Sequence, residues 1–430
     1  MRDIALTVLI FGLLPLILWR PYIGLLVWSW LSYMNPHRST WGFAYDMPFA
    51  QIVAITLLVS MLFSSEKYRM PWSGTLVLWI TFVAWMLLST LNAIYPDAAM
   101  IHFSKVIKIQ FISLLTLMLI TDRRKLHALI CVIVASIGFY AVKGGVFTLL
   151  TGGAFHVYGP ADSDISENNA LALATLIIIP LMIYLYQVHK GKVWLRLAIG
   201  GSIVLSVVAV FGSQSRGALV AIAAVGFFFW LKTSRKIISG AGIVLLGALV
   251  FSFMPASWHQ RMDTITTYEQ DASAMSRIHA WNYSLRMAND RFTGGGFGSW
   301  SKRTYAAYAP EATGVFVAHS IYFSVLADHG WIGLILYLTI LFMVWRNLAK
   351  VIAGGVDADS PYLPVQLARM LQVSLIAYCS GGAFLSLSYF DLPWHIIAIS
   401  LLLSYWAKQE SDPAVQSQNR NGKSTGLRYA

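Results

Sequence analysis

Long apolar runs separated by short polar connections dominate the chain. Most of these runs have close to the ~20 apolar residues that a helix needs to cross a bilayer. The runs lie at 4–34, 48–63, 72–92, 100–120, 126–142, 169–186, 196–213, 216–231, 237–254, 319–345, 370–388 and 392–407. The pattern predicts an all-α integral membrane protein with about twelve transmembrane helices, forming a single polytopic domain over residues 1–407.

The first run, 4–34, is too long for one straight spanning helix at 1.5 Å per residue. Trp19-Arg20-Pro21 interrupts it, which predicts either a broken helix or a helical hairpin; the count of twelve takes it once. Met1-Arg2-Asp3 before an apolar run is typical of a signal peptide, but no small-x-small cleavage site follows. We therefore predict an uncleaved first helix.

The short connections carry a strong charge asymmetry. The connections 64–71, 121–125, 187–196, 232–236 and 346–369 contain 14 Lys and Arg residues, whereas 35–47, 93–99, 143–168, 214–215 and 389–391 contain only Arg38 and Lys143. Because cytoplasmic connections are enriched in Lys and Arg, the first set is predicted to lie in the cytoplasm. Both termini then lie there if the first run crosses once. The polar tail 408–430 is predicted to be disordered.

The composition supports a membrane protein. Hydrophobic residues make up 57% of the 430 residues and charged residues 12%, about half of the roughly 25% charge of a soluble domain. A soluble globular enzyme, a disordered chain and a fibrous repeat are thereby excluded. The net charge of +12 indicates basic inner connections and an anionic membrane or an anionic lipid-linked substrate, and we expect no nucleic-acid partner.

Two connections, 143–168 and 255–318, are much longer than the others and fall on the predicted outer side. The second has the length of a functional loop or small cap. Within it, Gln270–Ala288 places apolar residues at helical spacing, which predicts an amphipathic helix on the membrane surface. The glycines in 294–298 predict a flexible turn, and no strand–turn–helix context supports phosphate binding by them.

His319 lies where this outer connection re-enters the membrane. A histidine has an unperturbed pKa near 6.5 and can take a proton from a hydroxyl group. The alternative is an interfacial histidine bonded to a backbone carbonyl, and composition alone favours that alternative.

Three cations lie inside or beside apolar runs. Arg216 lies at the outer turn between two spans, where a guanidinium is costly unless it is paired or functional. Its N–H donors suit a diphosphate. The alternative is that its side chain snorkels to the lipid headgroups. Lys105 and Lys108 share a helix face, one to two turns deep. They predict a substrate-facing role, with snorkelling of Lys105 as the alternative.

The carboxylates of the outer side have several possible roles. Asp391, at the last outer turn, could orient His319, bind sugar hydroxyls or cap the helix that begins near Pro393. Asp162 and Asp164, with Glu167, could hold Mg²⁺ or Mn²⁺ on a diphosphate. We prefer the alternative of a turn that leads into a helix N-terminus. No paired-cysteine or His-x-x-x-His spacing occurs, and no complete phosphate-binding motif Gly-x-x-x-x-Gly-Lys-Ser/Thr occurs, so we predict no metal and no cofactor.

A motif then points to a family. His319-Ser320, nine further residues and Gly330-x-x-Gly333 follow a large outer connection in a multi-span chain. This arrangement resembles the O-antigen ligase family, which comprises lipopolysaccharide ligases, O-antigen polymerases and bacterial protein O-oligosaccharyltransferases. The resemblance covers 165–405 best. More loosely, the N-terminal third resembles a subgroup of O-glycosylation ligases found near exosortase systems.

The resemblance implies a GT-C-like, multi-span glycosyltransferase in the inner membrane of a Gram-negative bacterium. It would move a glycan from undecaprenyl diphosphate to a hydroxyl of lipid A–core at the periplasmic face, with inversion. His319 would be the base, while Arg216 and Arg277 match the two essential arginines of the family, with Arg261 and Arg286 as alternatives to Arg277. Beside these arginines, the depth of Lys105 and Lys108 in the membrane predicts that they also bind the diphosphate donor, and Ser320 and Asp391 are possible supporting residues.

A protein of another class, a transporter or flippase of lipid-linked glycans, would also need many spans and intramembrane lysines. Such a protein is expected to contain internal repeats with paired broken helices near the midplane. The sequence shows no such repeat, and the candidate residues gather on one predicted side. The sequence therefore favours the transferase.

Overall fold

The computed structural model describes residues 1–256, 258–259, 272–355 and 361–410, and within these ranges it contains helices and no strand. The α-helices are α1 (Arg2–Trp19), α2 (Pro21–Met34), α3 (Phe49–Phe63), α4 (Gly74–Leu91), α5 (Pro96–Leu119), α6 (Arg123–Leu150), α7 (Asn168–Val188), α8 (Val193–Gly212), α9 (Arg216–Lys232), α10 (Lys236–Phe253), α11 (Ala272–Asp290), α12 (Lys302–Tyr308), α13 (Ile321–Gly354), α14 (Pro364–Gly382) and α15 (Asp391–Glu410). Short 3₁₀ turns occupy Pro36–Ser39 and Phe43–Tyr45. The disorder predicted for the tail concerns mainly 411–430, outside the described residues.

The prediction of an all-α, multi-span membrane protein is confirmed. Within the described residues, eight helices are long and apolar enough to cross a membrane, namely α1, α4, α5, α6, α7, α8, α10 and α13, and the shorter helices α3 and α9 are also apolar. Each of the predicted apolar runs coincides with a helix, and the first coincides with two.

The first run forms a helical hairpin. Arg20 has an extended backbone, and Pro21 takes the first position of α2, where its missing N–H costs no hydrogen bond. Near the start of α1, the Asp3 carboxylate accepts a hydrogen bond from the backbone N–H of Gly42 at 2.9 Å. Near its end, the Ile17 carbonyl accepts one from the hydroxyl of Ser60, late in α3, at 2.6 Å. The N-terminus therefore lies at the same end of the bundle as connection 35–47, so of the two alternatives left open by the sequence the structure shows the hairpin.

The bundle has two chemically different ends. At the first, which we call the basic end, Lys125 at the start of α6 pairs with Glu66 at 3.4 Å, and Arg123 pairs with Glu410 at the end of α15 at 2.5 Å. At the second, the loop end, Arg38 lies 3.8 Å from Asp162. The predicted inner connections gather at the basic end. Its location in the cytoplasm stays a prediction from the positive-inside rule.

The core of the bundle consists of α7, α14 and α15, with α13 against them. Helices that are apolar on most of their circumference are stable only inside a larger structure. Trp394 of α15 stacks on Trp79 of α4 with ring centroids 5.4 Å apart. Gly382 at the end of α14 touches Ile321, so the start of α13 is anchored in this core at the loop end.

Candidate functional site

His319 lies at the loop end, two residues before α13 begins. Its φ of +44° is in the left-handed region, which few residues other than glycine adopt. The side chain is half-buried, and the following Ser320 is fully buried and N-caps the helix without a side-chain hydrogen bond. The backbone therefore holds the imidazole at a fixed place on the helix start.

Helix α11 contacts α13 directly at this point. The indole N–H of Trp281 donates to the carbonyl oxygen of Ala318 at 2.9 Å, and its ring stacks on Phe323 with centroids 4.9 Å apart. Arg277 precedes Trp281 by four residues and so shares its helix face. The helix predicted to lie on the membrane surface thus packs against α13 and brings Arg277 to His319.

Two charges act on His319. Burial lowers the pKa of the imidazole below its usual value of 6.5, and the positive charge of Arg277 lowers this pKa further, whereas the negative charge of Glu167 opposes both. A lowered pKa keeps the imidazole neutral near pH 7, the form that accepts a proton. Sequence reasoning placed Glu167 only in an acidic cluster and missed its relation to His319.

Arg216 lies beside the beginning of α7. The amide of Asn168, which follows Glu167, donates to the carbonyl oxygen of Ser213 at 2.7 Å. The hydroxyl of Ser215 caps α9 by accepting from the backbone N–H of Ala218 at 3.1 Å. Arg216, half-buried, is the first residue of α9. The turn that carries it is therefore fixed to the same helix start as Glu167.

The glycine-rich turn is docked into a kink of α13. Gly330 has φ +65° and interrupts the helix. The carbonyl oxygens of Ala327 and Asp328 accept hydrogen bonds from the backbone N–H groups of Gly295 at 2.8 Å and Gly296 at 3.0 Å. The kink is stable because this turn satisfies the exposed carbonyls. The predicted turn is present, and its hydrogen bonds hold it against α13. Gly330 of the motif is needed because the kink requires a positive φ at this position.

Two buried polar groups support the kink, and sequence reasoning missed both. The carboxylate of Asp328 accepts a hydrogen bond from the hydroxyl of Tyr389 at 3.0 Å. The Nδ1 atom of His329 lies 2.6 Å from the hydroxyl of Ser89 on α4. These bonds join α13 to α4 and to the connection between α14 and α15. The sequence signal that could have revealed them was Asp328, an ionisable residue within the apolar run 319–345.

The structure distinguishes between the candidate arginines of the outer connection. Arg286 lies 2.9 Å from the carboxylate of Glu311 and donates to the carbonyl oxygen of Tyr308 at 3.1 Å. Arg286 therefore joins α11 to the end of α12 and the segment that follows it. Arg261 lies outside the described residues. Of the two that are described, Arg277 is the one whose charge acts on His319.

Lys105 and the acidic pair belong to a second cluster at the loop end. Lys105 of α5 pairs with Asp164 at 2.5 Å. Asp162 accepts a hydrogen bond from the hydroxyl of Tyr45 at 2.6 Å. Lys108 is exposed on the same helix. Asp162 and Asp164, for which a metal role was the less favoured alternative, are thus bonded to other side chains, and the described part of the chain shows no group of three or more potential metal ligands.

Asp391 is the first residue of α15 and is buried. Its carboxylate accepts a hydrogen bond from the hydroxyl of Ser32 on α2. In the described residues this bond ties α15 to the N-terminal hairpin, and none joins Asp391 to His319. The connection between α14 and α15 contacts the site through Ser388, whose hydroxyl donates to the carbonyl oxygen of Ile321 at 3.1 Å.

Comparison with known families divides the chain in two. Residues 201–338 match the family described as O-Antigen ligase, and residues 1–190 match a family of unknown function (DUF5935). The first range contains Arg216, Arg277 and His319 together with the kink; the second contains Lys105 and Glu167. No curated protein matches the chain.

Proposed function

We propose that this chain, which carries a domain of the O-antigen ligase family over residues 201–338, transfers a glycan from undecaprenyl diphosphate to a hydroxyl of lipid A–core. The observation that supports this best is the contact of α11 with the start of α13. Through Trp281 it brings a guanidinium and a neutral imidazole together at the loop end, which the charge asymmetry predicts to be periplasmic.

The arginines act on the leaving group. When the bond between the anomeric carbon and the diphosphate oxygen breaks, negative charge grows on the diphosphate. Arg277 and Arg216 neutralise this charge, and guanidinium groups suit phosphate oxygens because they bind two oxygens at once. Removing one such preorganised donor typically costs ~10²–10³ in rate.

His319 acts on the acceptor. Its neutral imidazole removes the proton of the acceptor hydroxyl as the oxygen attacks the anomeric carbon from the face opposite the diphosphate. One bond forms as the other breaks, so the configuration inverts and no glycosyl-enzyme intermediate arises. The imidazolium later releases its proton to water.

The proposed reaction needs no divalent ion, since cationic side chains replace it at the diphosphate. The engagement of Asp162 and Asp164 with Tyr45 and Lys105 supports this. Transfer by the purified protein in EDTA is expected to equal transfer in Mg²⁺. A loss in EDTA that Mg²⁺ restores would favour the acidic pair as a metal site.

The acceptor is tested in a deletion strain by gel analysis of surface glycans. Bare lipid A–core without O-antigen supports the ligase. Caps of a single repeat unit would instead identify an O-antigen polymerase, and loss of glycosylated proteins alone a protein O-oligosaccharyltransferase. Complementation with His319→Ala separates catalysis from transport, because a transporter of lipid-linked glycans does not need this base.

A further inference from the structure

Segment 315–318 leads directly to the candidate base, and it forms neither a helix nor a turn. Exposure alternates along it. Val315 and Val317 are 39% and 46% exposed, whereas Phe316 is half-buried and Ala318 is fully buried. Such an alternation, with a period of two residues, is that of an extended chain, in which successive side chains point to opposite faces.

One edge of this segment is bonded to the protein. The carbonyl oxygen of Phe316 accepts a hydrogen bond from the hydroxyl of Tyr305 on α12 at 2.7 Å, and that of Ala318 accepts one from the indole N–H of Trp281 on α11 at 2.9 Å. In an extended chain, the backbone groups of every second residue point to the same edge. Both bonds therefore lie on one edge, which faces α11 and α12.

The opposite edge of the segment is open. In the described structure, neither the backbone N–H nor the backbone C=O group of Val315 or Val317 makes a hydrogen bond to the protein. In solution these exposed groups bond to water, which a ligand displaces without loss if it supplies hydrogen bonds of its own. The open edge therefore presents two donors and two acceptors beside two apolar side chains, and it ends two residues before His319.

We propose that this open edge binds the acceptor sugar that carries the attacking hydroxyl. The inference rests on the proposed function, in which His319 removes the proton of that hydroxyl and so contacts it at hydrogen-bond distance. A sugar hydroxyl both donates and accepts hydrogen bonds, as the N–H and C=O groups of the edge require. The C–H groups on the face of the sugar ring pack against the side chains of Val315 and Val317.

The two edges also place the two substrates apart. The bonded edge faces α11, which carries Arg277, the group proposed to bind the diphosphate. The open edge points away from α11, so a sugar bound there approaches from the side opposite the diphosphate. Inversion requires this arrangement, because the attacking oxygen enters on one side of the anomeric carbon as the diphosphate leaves on the other.

The first test needs neither a variant nor transfer. Amide hydrogen exchange of the full-length protein in detergent is followed by mass spectrometry with and without purified lipid A–core, in the absence of the glycan donor. We expect peptides that cover 315–318 to exchange ~3–10-fold more slowly with lipid A–core, because the two N–H groups then donate to its sugar. Unchanged exchange would overturn the proposal. Slower exchange with a serine-rich peptide, and not with lipid A–core, would assign the edge to a protein acceptor and overturn it as well.

The second test compares the KM for lipid A–core with the KM for the glycan donor. Val317→Pro removes one N–H group of the open edge, and we expect it to raise the KM for lipid A–core ~3–10-fold and to leave the KM for the donor unchanged. Thr313→Pro is the matched control, because Thr313 is exposed, makes no hydrogen bond in the described structure and lies outside the segment. It should leave both KM values unchanged.

Two results of the second test would overturn the proposal, because they would show a general distortion near His319. One is an equal rise of both KM values in Val317→Pro, and the other is the same rise in the KM for lipid A–core in Thr313→Pro. No transfer by the unchanged protein would instead contradict the proposed function, and amide exchange would still test whether the open edge binds lipid A–core.

Discussion

Two histidines at the loop end have the same electrostatic surroundings. His37, in the 3₁₀ turn Pro36–Ser39, and His319 are both half-buried. For each, burial lowers the pKa most, a neighbouring arginine lowers the pKa further, and a carboxylate opposes this. A lowered pKa therefore does not by itself identify a catalytic base.

The two differ in where their neighbours come from. His37 is flanked in sequence by Arg38, which is 3.5 Å from Asp46 and 4.6 Å from the ring centre of Tyr45. The two charges that act on the pKa of His37, those of Arg38 and Asp46, both lie in the short connection 35–47 that contains His37 itself. His319 receives Arg277 from α11 and Glu167 from the start of α7, so three distant segments meet there. A polar site assembled from distant segments is costly to maintain, and this supports function at His319.

The largest expected effect is the loss of glycan transfer when His319, but not His37, is replaced. His319→Ala should reduce glycan transfer by ~10²–10⁴-fold, because the acceptor hydroxyl loses its base. His37→Ala should leave transfer within a few-fold of the unchanged protein. Transfer is measured in membranes that contain equal amounts of each variant by immunoblot. Near-normal transfer by His319→Ala would overturn the proposed chemistry.

The next largest expected effect is a difference in glycan transfer between variants of two arginines of α11. Arg277→Ala should lower transfer by ~10²–10³-fold, the typical cost of one preorganised donor. Arg286→Ala removes the ion pair with Glu311, which is half-exposed and typically worth ~0–1 kcal/mol. We expect little loss of transfer from it. A larger defect in Arg286→Ala than in Arg277→Ala would move the diphosphate site away from α11.

The sequence predicted most helices because a segment that crosses lipid needs about 20 apolar residues. It singled out His319, Arg216 and Arg277 as candidates through a family motif and their place at the predicted outer face, and their roles stay predictions. It left open whether the first run folds back, because Arg20-Pro21 fits a broken helix as well as a hairpin. It missed Glu167 because that residue reaches His319 only through the packing of α7, α14 and α13. Long-range packing of this kind leaves no local pattern.

A smaller effect concerns the kink that supports the start of α13. Gly330→Ala places a side chain at φ +65°, and its Cβ would lie 2.4 Å from the carbonyl oxygen of Phe292. We expect a loss of ~1–3 kcal/mol in stability from the backbone conformation, seen as a lower Tm in detergent. Gly201→Ala in α8, where nothing lies within 4 Å, is the control and should not lower the Tm. An unchanged Tm in Gly330→Ala would show that the kink is not needed.

The smallest effect is a shift in pH dependence. A base must be unprotonated, so kcat/KM is full above the pKa of His319 and falls as the pH drops through it. Because that pKa lies below 6.5, the acid limb should lie below pH 6.5. Glu167→Gln removes the charge that raises this pKa, so the limb should move to still lower pH. Asp46→Asn makes the equivalent change beside His37 and should leave the profile unchanged, whereas a shift in Asp46→Asn alone would reverse the roles of the two histidines.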